Sequence, residues 1–265
     1  MYKLQIAIGT LLAILPSVGS ATTLVGIWTA KQITIAADSK QTLMNGVVIM
    51  GSQDACKIYK TGNLVFAFAG LAKSEQIDVV EAVINAHELT EQGTGKKLPV
   101  DSLEVASVAA LVKVLKARGS LSDASVSVGL IIAGKIDGKL QMIRMEIWGM
   151  TIAGDFAVSQ MSRHIAYPES RGHDGTNPNR RIEIIGFNNA IKRLQASSSD
   201  WNKGNDLVVA RRLVEFETDD PEDSRFVGAP ISEIVINKHG IKWIGKGKCQ
   251  CSSHGAGGPG PTISK

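Results

Sequence analysis

The chain has 265 residues, a formal net charge of +4 and 44% hydrophobic residues. The charge is mild, and no block of lysines and arginines interleaved with aromatics occurs, which argues against a nucleic-acid-binding protein. The five histidines, His87, His164, His173, His239 and His254, lack metal-ligand spacing and are assigned no chemistry.

Lys3 is followed by an almost uncharged apolar run from Leu4 to Val18, broken by Gly9 and Pro16. The run is shorter than the roughly 20 residues of a membrane span. It ends on Gly19, Ser20 and Ala21, the small-residue pattern of a signal-peptidase site. Residues 1–21 are therefore read as a cleaved signal peptide, residues 22–247 as one domain and residues 248–265 as a disordered, Gly- and Ser-rich tail. The three cysteines, Cys56, Cys249 and Cys251, permit one disulfide and require none. Cys56 is read as a small core residue.

From Leu24 the pattern alternates. LVGIWT and QITIAAD, around a corner at Ala30 and Lys31, predict a hairpin of two half-buried strands, and VVIM, CKIYK and LVFAFAG continue the series to five strands. The period then lengthens. With Ser74 as N-cap, SEQIDVVEAVINAHEL sets Ile77, Val80, Val83, Ile84 and Leu89 on one helical face. SLEVASVAALVKVLKARG predicts a second helix ending at Gly119. ASVSVGLIIAGKIDGKLQMIRMEIWG returns to strands, with Asp137-Gly138 as the turn. A polar loop spans about residues 166–180, inside an insertion at 156–180 that has no assigned role. Strand RIEIIG, helices around Ala190 and from Leu207 to Phe216, and a closing pair SEIVINK and IKWIGK complete the domain. This order predicts an α+β fold, a four-layer α/β/β/α sandwich.

Residues 22–27, TTLVGI, together with ITIAADSKQT at 33–42, CKI at 56–58 and FAGLA at 68–72, resemble the opening of a proteasome β-subunit, an N-terminal-nucleophile hydrolase. The likeness is clearest from Thr22 to about Ala72 and then fades to element order and fragments such as VGAPISEIVI. The family pattern has a threonine as first mature residue, an aspartate sixteen residues on, and a basic residue and a threonine two and four beyond it. Counting from Thr22 reaches Asp38, Lys40 and Thr42 without a gap, whereas counting from Thr23 misses the aspartate. The signal-peptide reading, made on other grounds, puts the cut at the same bond.

The resemblance implies the following chemistry. A threonine hydroxyl is a weak nucleophile until a base takes its proton, and a terminal amine, with an ordinary pKa of about 7.7 to 8.0, is such a base. A nearby Lys57 ammonium would keep more of that amine unprotonated, and Asp38 would hold Lys57. The Gly70 N–H would donate to the oxyanion. Thr42 and Ala72 would bind an extended peptide as an added strand. No metal or organic cofactor is implied. The expected substrate is a peptide or unfolded chain, with assembly into rings or other homo-oligomers, no nucleic acid and no membrane contact after signal cleavage. The expected location is exported, periplasmic or secreted.

Three departures stand against the family pattern. IIGFNNA puts Phe187 where a Gly-Ser-Gly serine is expected. TDDPEDSRFVGAP offers Asp220, Asp223 and Ser224 for an Asp-x-x-Ser-Gly motif without a clean fit. Lys40 stands where arginine is common. Together they imply slower or differently supported acyl-enzyme hydrolysis or self-processing. The loss of the serine at Phe187 favours a rival of another class, a non-catalytic exported scaffold or binding protein, and an amidase acting on a small non-peptide amide is a third reading.

Overall fold

A computed structural model describes residues 22–45, 48–70, 78–94, 100–119, 125–152, 155–166, 180–244 and 251–252. The predicted hairpin is β1 (Thr23–Thr29) and β2 (Gln32–Asp38), antiparallel with Leu24 opposite Ala37. Its corner is closed by Thr29, whose Oγ1 accepts from the Gln32 N–H at 3.2 Å and donates to the Gln32 carbonyl at 3.1 Å. The two strands are buried on both faces rather than half-buried. Leu24, Trp28, Ile33, Ile35 and Ala37 face the other sheet, whereas Val25, Ile27 and Ala36 face helices.

Where the sequence suggests one strand at VVIM, the chain forms a separate hairpin, β3 (Lys40–Asn45) and β4 (Val48–Asp54). Then follow β5 (Ile58–Thr61), β6 (Leu64–Gly70), α1 (Val79–Thr94), α2 (Val100–Gly119), β7 (Ser125–Ile136) and β8 (Lys139–Ile152). The Asp137-Gly138 turn between β7 and β8 has positive φ at both residues, 50° and 80°, the geometry of a tight hairpin turn. The insertion at 156–180 contributes β9 (Asp155–Ala166), antiparallel to β8. The remainder is β10 (Arg180–Gly186), α3 (Asn189–Ser197), α4 (Asp206–Thr218), β11 (Ile231–Asn237), β12 (Gly240–Ile244) and the two-residue β13 (Cys251–Ser252).

Two sheets result, in the orders β10-β1-β2-β11-β12 and β13-β5-β6-β7-β8-β9, antiparallel except where β13 joins β5. One apolar cluster draws side chains from both sheets, among them Trp28, Ile35, Ile131 and Met142. A second sets α1 and α2 on the β6, β7 and β8 side through Val83, Leu111, Phe66 and Leu130. A third sets α3 and α4 on β1 and β2 through Ile191, Leu213, Ile27 and Ala36. Among the described residues no helix is long and apolar enough to cross a membrane.

Some sequence expectations need correction. Ser74 and Ile77 lie outside the described residues, and the N-terminus of α1 is served by Asp78, whose Oδ1 accepts from the Glu81 N–H at 2.9 Å. Leu89 is 70% exposed; five residues beyond Ile84 it is about 140° around the helix from it. Cys56 is half-buried and disulfide-bonded rather than a core thiol. The other two cysteines belong to the tail assigned to disorder, of which Cys251–Ser252 forms a strand beside Tyr59 and Lys60.

Candidate active site

Thr22 lies immediately ahead of β1 and is buried. Its carbonyl accepts from the Phe187 N–H at 2.9 Å, and the neighbouring Thr23 Oγ1 donates to the Phe187 carbonyl at 3.0 Å. The residue standing in the serine's place thus fixes the head of β1 through its backbone, while its ring packs 5.3 Å from that of Phe226. The approach requires a glycine. Gly186 has φ +87°, and a Cβ there would stand 1.9 Å from the Thr22 carbonyl oxygen. Among the described residues the Thr22 hydroxyl has no hydrogen-bond partner.

Gly70 ends β6 with φ +80°, and a Cβ there would meet the Ser127 carbonyl oxygen at 2.4 Å. Ala69, one residue earlier, lies within van der Waals reach of a Cβ built on Gly186, so the ends of β1, β6 and β10 converge. Thr42 sits on β3 opposite Ser52, and Ala72 lies outside the described residues.

Asp38, the last residue of β2, is fully buried and accepts from three backbone donors. Its Oδ1 takes the Thr23 N–H at 2.8 Å, and its Oδ2 takes the Lys40 N–H at 3.2 Å and the Gly228 N–H at 3.3 Å. Burial pushes the Asp38 carboxyl up to about 6, against the opposing pull of the Lys57 charge and these three donors. Lys57, just ahead of β5, is buried, and its carbonyl accepts from the Phe68 N–H at 2.9 Å. The two segments meet through Ser39, whose carbonyl accepts from the Ala55 N–H at 2.6 Å and whose Oγ lies 3.0 Å from that of Ser232. The Thr22, Asp38 and Lys57 positions, far apart in sequence, are therefore carried by neighbouring strand ends.

The segment after α4 divides its three candidate residues among separate tasks. The Ser224 carbonyl accepts from Lys40 Nζ at 2.7 Å, and Lys40 lies over Gly228, where a Cβ would stand 2.9 Å from Lys40 Cδ. Asp220 pairs with Arg193 at 2.5 Å and accepts from the Glu222 and Asp223 N–H groups. Asp223 is buried beside Glu217, a residue the sequence does not single out. Glu217 is fully buried, and its Oε1 accepts from the Ile191 N–H at 3.0 Å, capping the first turn of α3 where the Asn188 side chain makes no cap bond. Burial and the neighbouring Asp223 carboxyl push Glu217 up to about 7, in spite of the backbone donors. Glu217 Oε2 and Asp223 Oδ2 both lack a donor among the described residues. Glu217 carries no sequence signal of its own, being a glutamate in an amphipathic helix, and Gly228 lies inside the VGAPISEIVI fragment, which gives no sign of its N–H reaching Asp38.

A pocket of about 410 Å³ opens beside the convergent strand ends, with Gly70, Gly186 and Phe187 on one wall and β7 and β8 on the other. This is within the size range of small-ligand sites. No protein-family model matches the chain, and no curated protein matches it.

Proposed function

We propose that the protein is an exported threonine-type hydrolase of the N-terminal-nucleophile kind, on a four-layer α/β/β/α sandwich, cutting peptide or amide bonds through Thr22. The observation that carries this reading is the buried Asp38 carboxyl. It is anchored on the N–H of the residue next to Thr22 and lies within the field of a buried Lys57. Burying a carboxylate and an ammonium together is costly unless they serve each other, and a scaffold has no use for the pair at the head of its first strand.

In the full chain the Thr22 nitrogen is an amide, joined to Ala21. Signal cleavage after Ala21 frees it as an amine. The amine then takes the Thr22 hydroxyl proton as Oγ1 attacks the carbonyl carbon, and the tetrahedral oxyanion faces the Gly70 N–H. Collapse breaks the C–N bond, the ammonium returns its proton to the departing amine, and an ester remains on Thr22. Water, deprotonated by the same amine, hydrolyses it. Lys57 keeps the amine unprotonated by charge repulsion. Asp38 is a positioning residue, acting through Lys57 and the Thr23 N–H. Peptides or unfolded chains are the substrates of this reading, homo-oligomeric rings its implied assembly, and the cell exterior or periplasm its location.

Phe187, in place of the serine, favours a second reading, a non-catalytic exported scaffold. Thr22→Ala and Thr22→Ser in the mature protein separate the two. The hydrolase reading expects no peptide-amide turnover from the alanine variant and residual turnover from the serine variant. Equal turnover by all three proteins removes Thr22 from the chemistry, and none from any of them favours the scaffold.

A further inference from the structure

The pocket lies on one flank of Thr22, and the residues assigned to activation and to the peptide strand lie on the other. In the first sheet β1 is bordered by β2 and β10, and in the second β6 is bordered by β5 and β7. Asp38, Lys40 and the β3 hairpin with Thr42 continue from β2, and Lys57 leads into β5. The pocket is walled instead by β10 with its continuation into α3 and by β7 and β8, and it reaches the other flank only at Ala69 and Gly70, where β6 ends. An extended acyl half beside Thr42 and Gly70 leaves the opposite flank for whatever is attached to the scissile nitrogen.

The lining sets the chemistry of that group. Val128, Trp148 and Phe187 present apolar surface. Arg144 reaches Glu146 at 2.8 Å and Glu183 at 3.4 Å, and Glu183 also binds Arg181 at 2.6 Å, so among the described residues these two cations and two carboxylates are paired with one another. Lys192, exposed on the first turn of α3, also lines the pocket and has no ion-pair partner among the described residues. Among the described residues it is the surplus charge lining the pocket, and it is positive.

We propose that this pocket receives the leaving-group half of the substrate, and that this half is a short amine bearing a carboxylate: an apolar amino acid or a dipeptide with a free C-terminus. Its carboxylate pairs with Lys192, and its side chain rests on Val128, Trp148 and Phe187. The enzyme would then release one or two residues from peptide C-termini. The inference rests on the Thr22 ester of the preceding section.

The reverse of the leaving step isolates the pocket. The mature enzyme is acylated on Thr22 with a peptidyl ester and offered phenylalanine or phenylalaninamide. In either case the amine attacks the ester carbonyl, the acyl–Oγ1 bond breaks as the amine's proton passes through the Thr22 amine to Oγ1, and a new peptide bond forms. With equal concentrations of unprotonated nucleophile, wild type is expected to make about fivefold more product from the carboxylate than from the amide, the size of a partly screened ion pair. Lys192→Gln should abolish that ratio, Lys192→Glu should invert it, and Lys192→Arg should keep it. An acyl-enzyme that transfers to both amines equally in wild type, or a ratio untouched by Lys192→Glu, overturns the pocket assignment and leaves the Thr22 chemistry standing. No acyl adduct on Thr22 by intact mass overturns both.

Discussion

Asp38 offers a test in which the sign of the effect discriminates. An aspartate that only formed a favourable ion pair would have a depressed pKa and would stabilise the fold more as pH rose. Here burial outweighs Lys57 and the three backbone donors, and the carboxyl is raised from 3.8 to about 6. A carboxyl that binds its proton more tightly when folded makes stability fall as pH rises from the unfolded value to the folded one. Two pKa units at 1.36 kcal/mol each give a loss of about 3 kcal/mol between pH 4 and pH 7 from this group. Asp38→Asn cannot ionise, so subtracting the two unfolding curves isolates the term. The variant should gain about 3 kcal/mol on wild type between pH 4 and pH 7 in urea unfolding, while losing peptide-amide turnover. On the proposed reading an ionised Asp38 is kept at a cost in stability, as functional groups often are. A variant that instead loses ground to wild type as pH rises would refute the reasoning, because Asp38 would then be a stabilising ion-pair partner.

Other outcomes follow from the same geometry. The acid limb of kcat/KM should fall near pH 6, where Asp38 takes up its proton; activity that stays level down to pH 5 would separate Asp38 from the reaction. Glu217→Gln keeps an acceptor for the Ile191 N–H and supplies a permanent donor to Asp223. Because Glu217 is raised to about 7, wild type loses stability as pH rises from 4.5 to 7 on its account, and the glutamine variant should gain on it over that range. A relative loss, read from melting temperature against pH, counts against a raised Glu217 carboxyl. Gly186→Ala forces a Cβ into the Thr22 carbonyl at a positive φ. It should destabilise by about 3 kcal/mol or more and cut turnover about a hundredfold through displacement of Thr22, and an unchanged kcat/KM would show that this contact does not place the nucleophile.

The parts of the fold legible in the sequence are those with a strong period or a glycine at a turn. The β1–β2 hairpin announces itself through two apolar runs around a two-residue corner, the β7–β8 hairpin through Asp137-Gly138, and α2 through its end at Gly119. What escaped had no such signal. The β3 sequence KQTLMN is mostly polar and among the described residues pairs only with β4, and β9 is a polar-rich strand at the edge of the described sheet. Burial on both faces of β1 and β2 is illegible because it depends on helices more than 150 residues away. The candidate site divides the same way. The spacing from Thr22 to Asp38 and Lys40 is local and can be counted. The Gly228 N–H on Asp38, the Ser224 carbonyl on Lys40 and the Glu217 cap on α3 are long-range contacts made by residues that look ordinary in sequence.

The central claim is that a free Thr22 amine and hydroxyl act together. The most direct measurement is the intact mass and N-terminal sequence of the protein recovered from an exporting host, before and after treatment with a reagent that bonds both groups of an N-terminal threonine. The account predicts a chain that begins at Thr22 and gains one equivalent of reagent there. A chain that keeps its leader, begins at another residue, or begins at Thr22 and stays unmodified would contradict it.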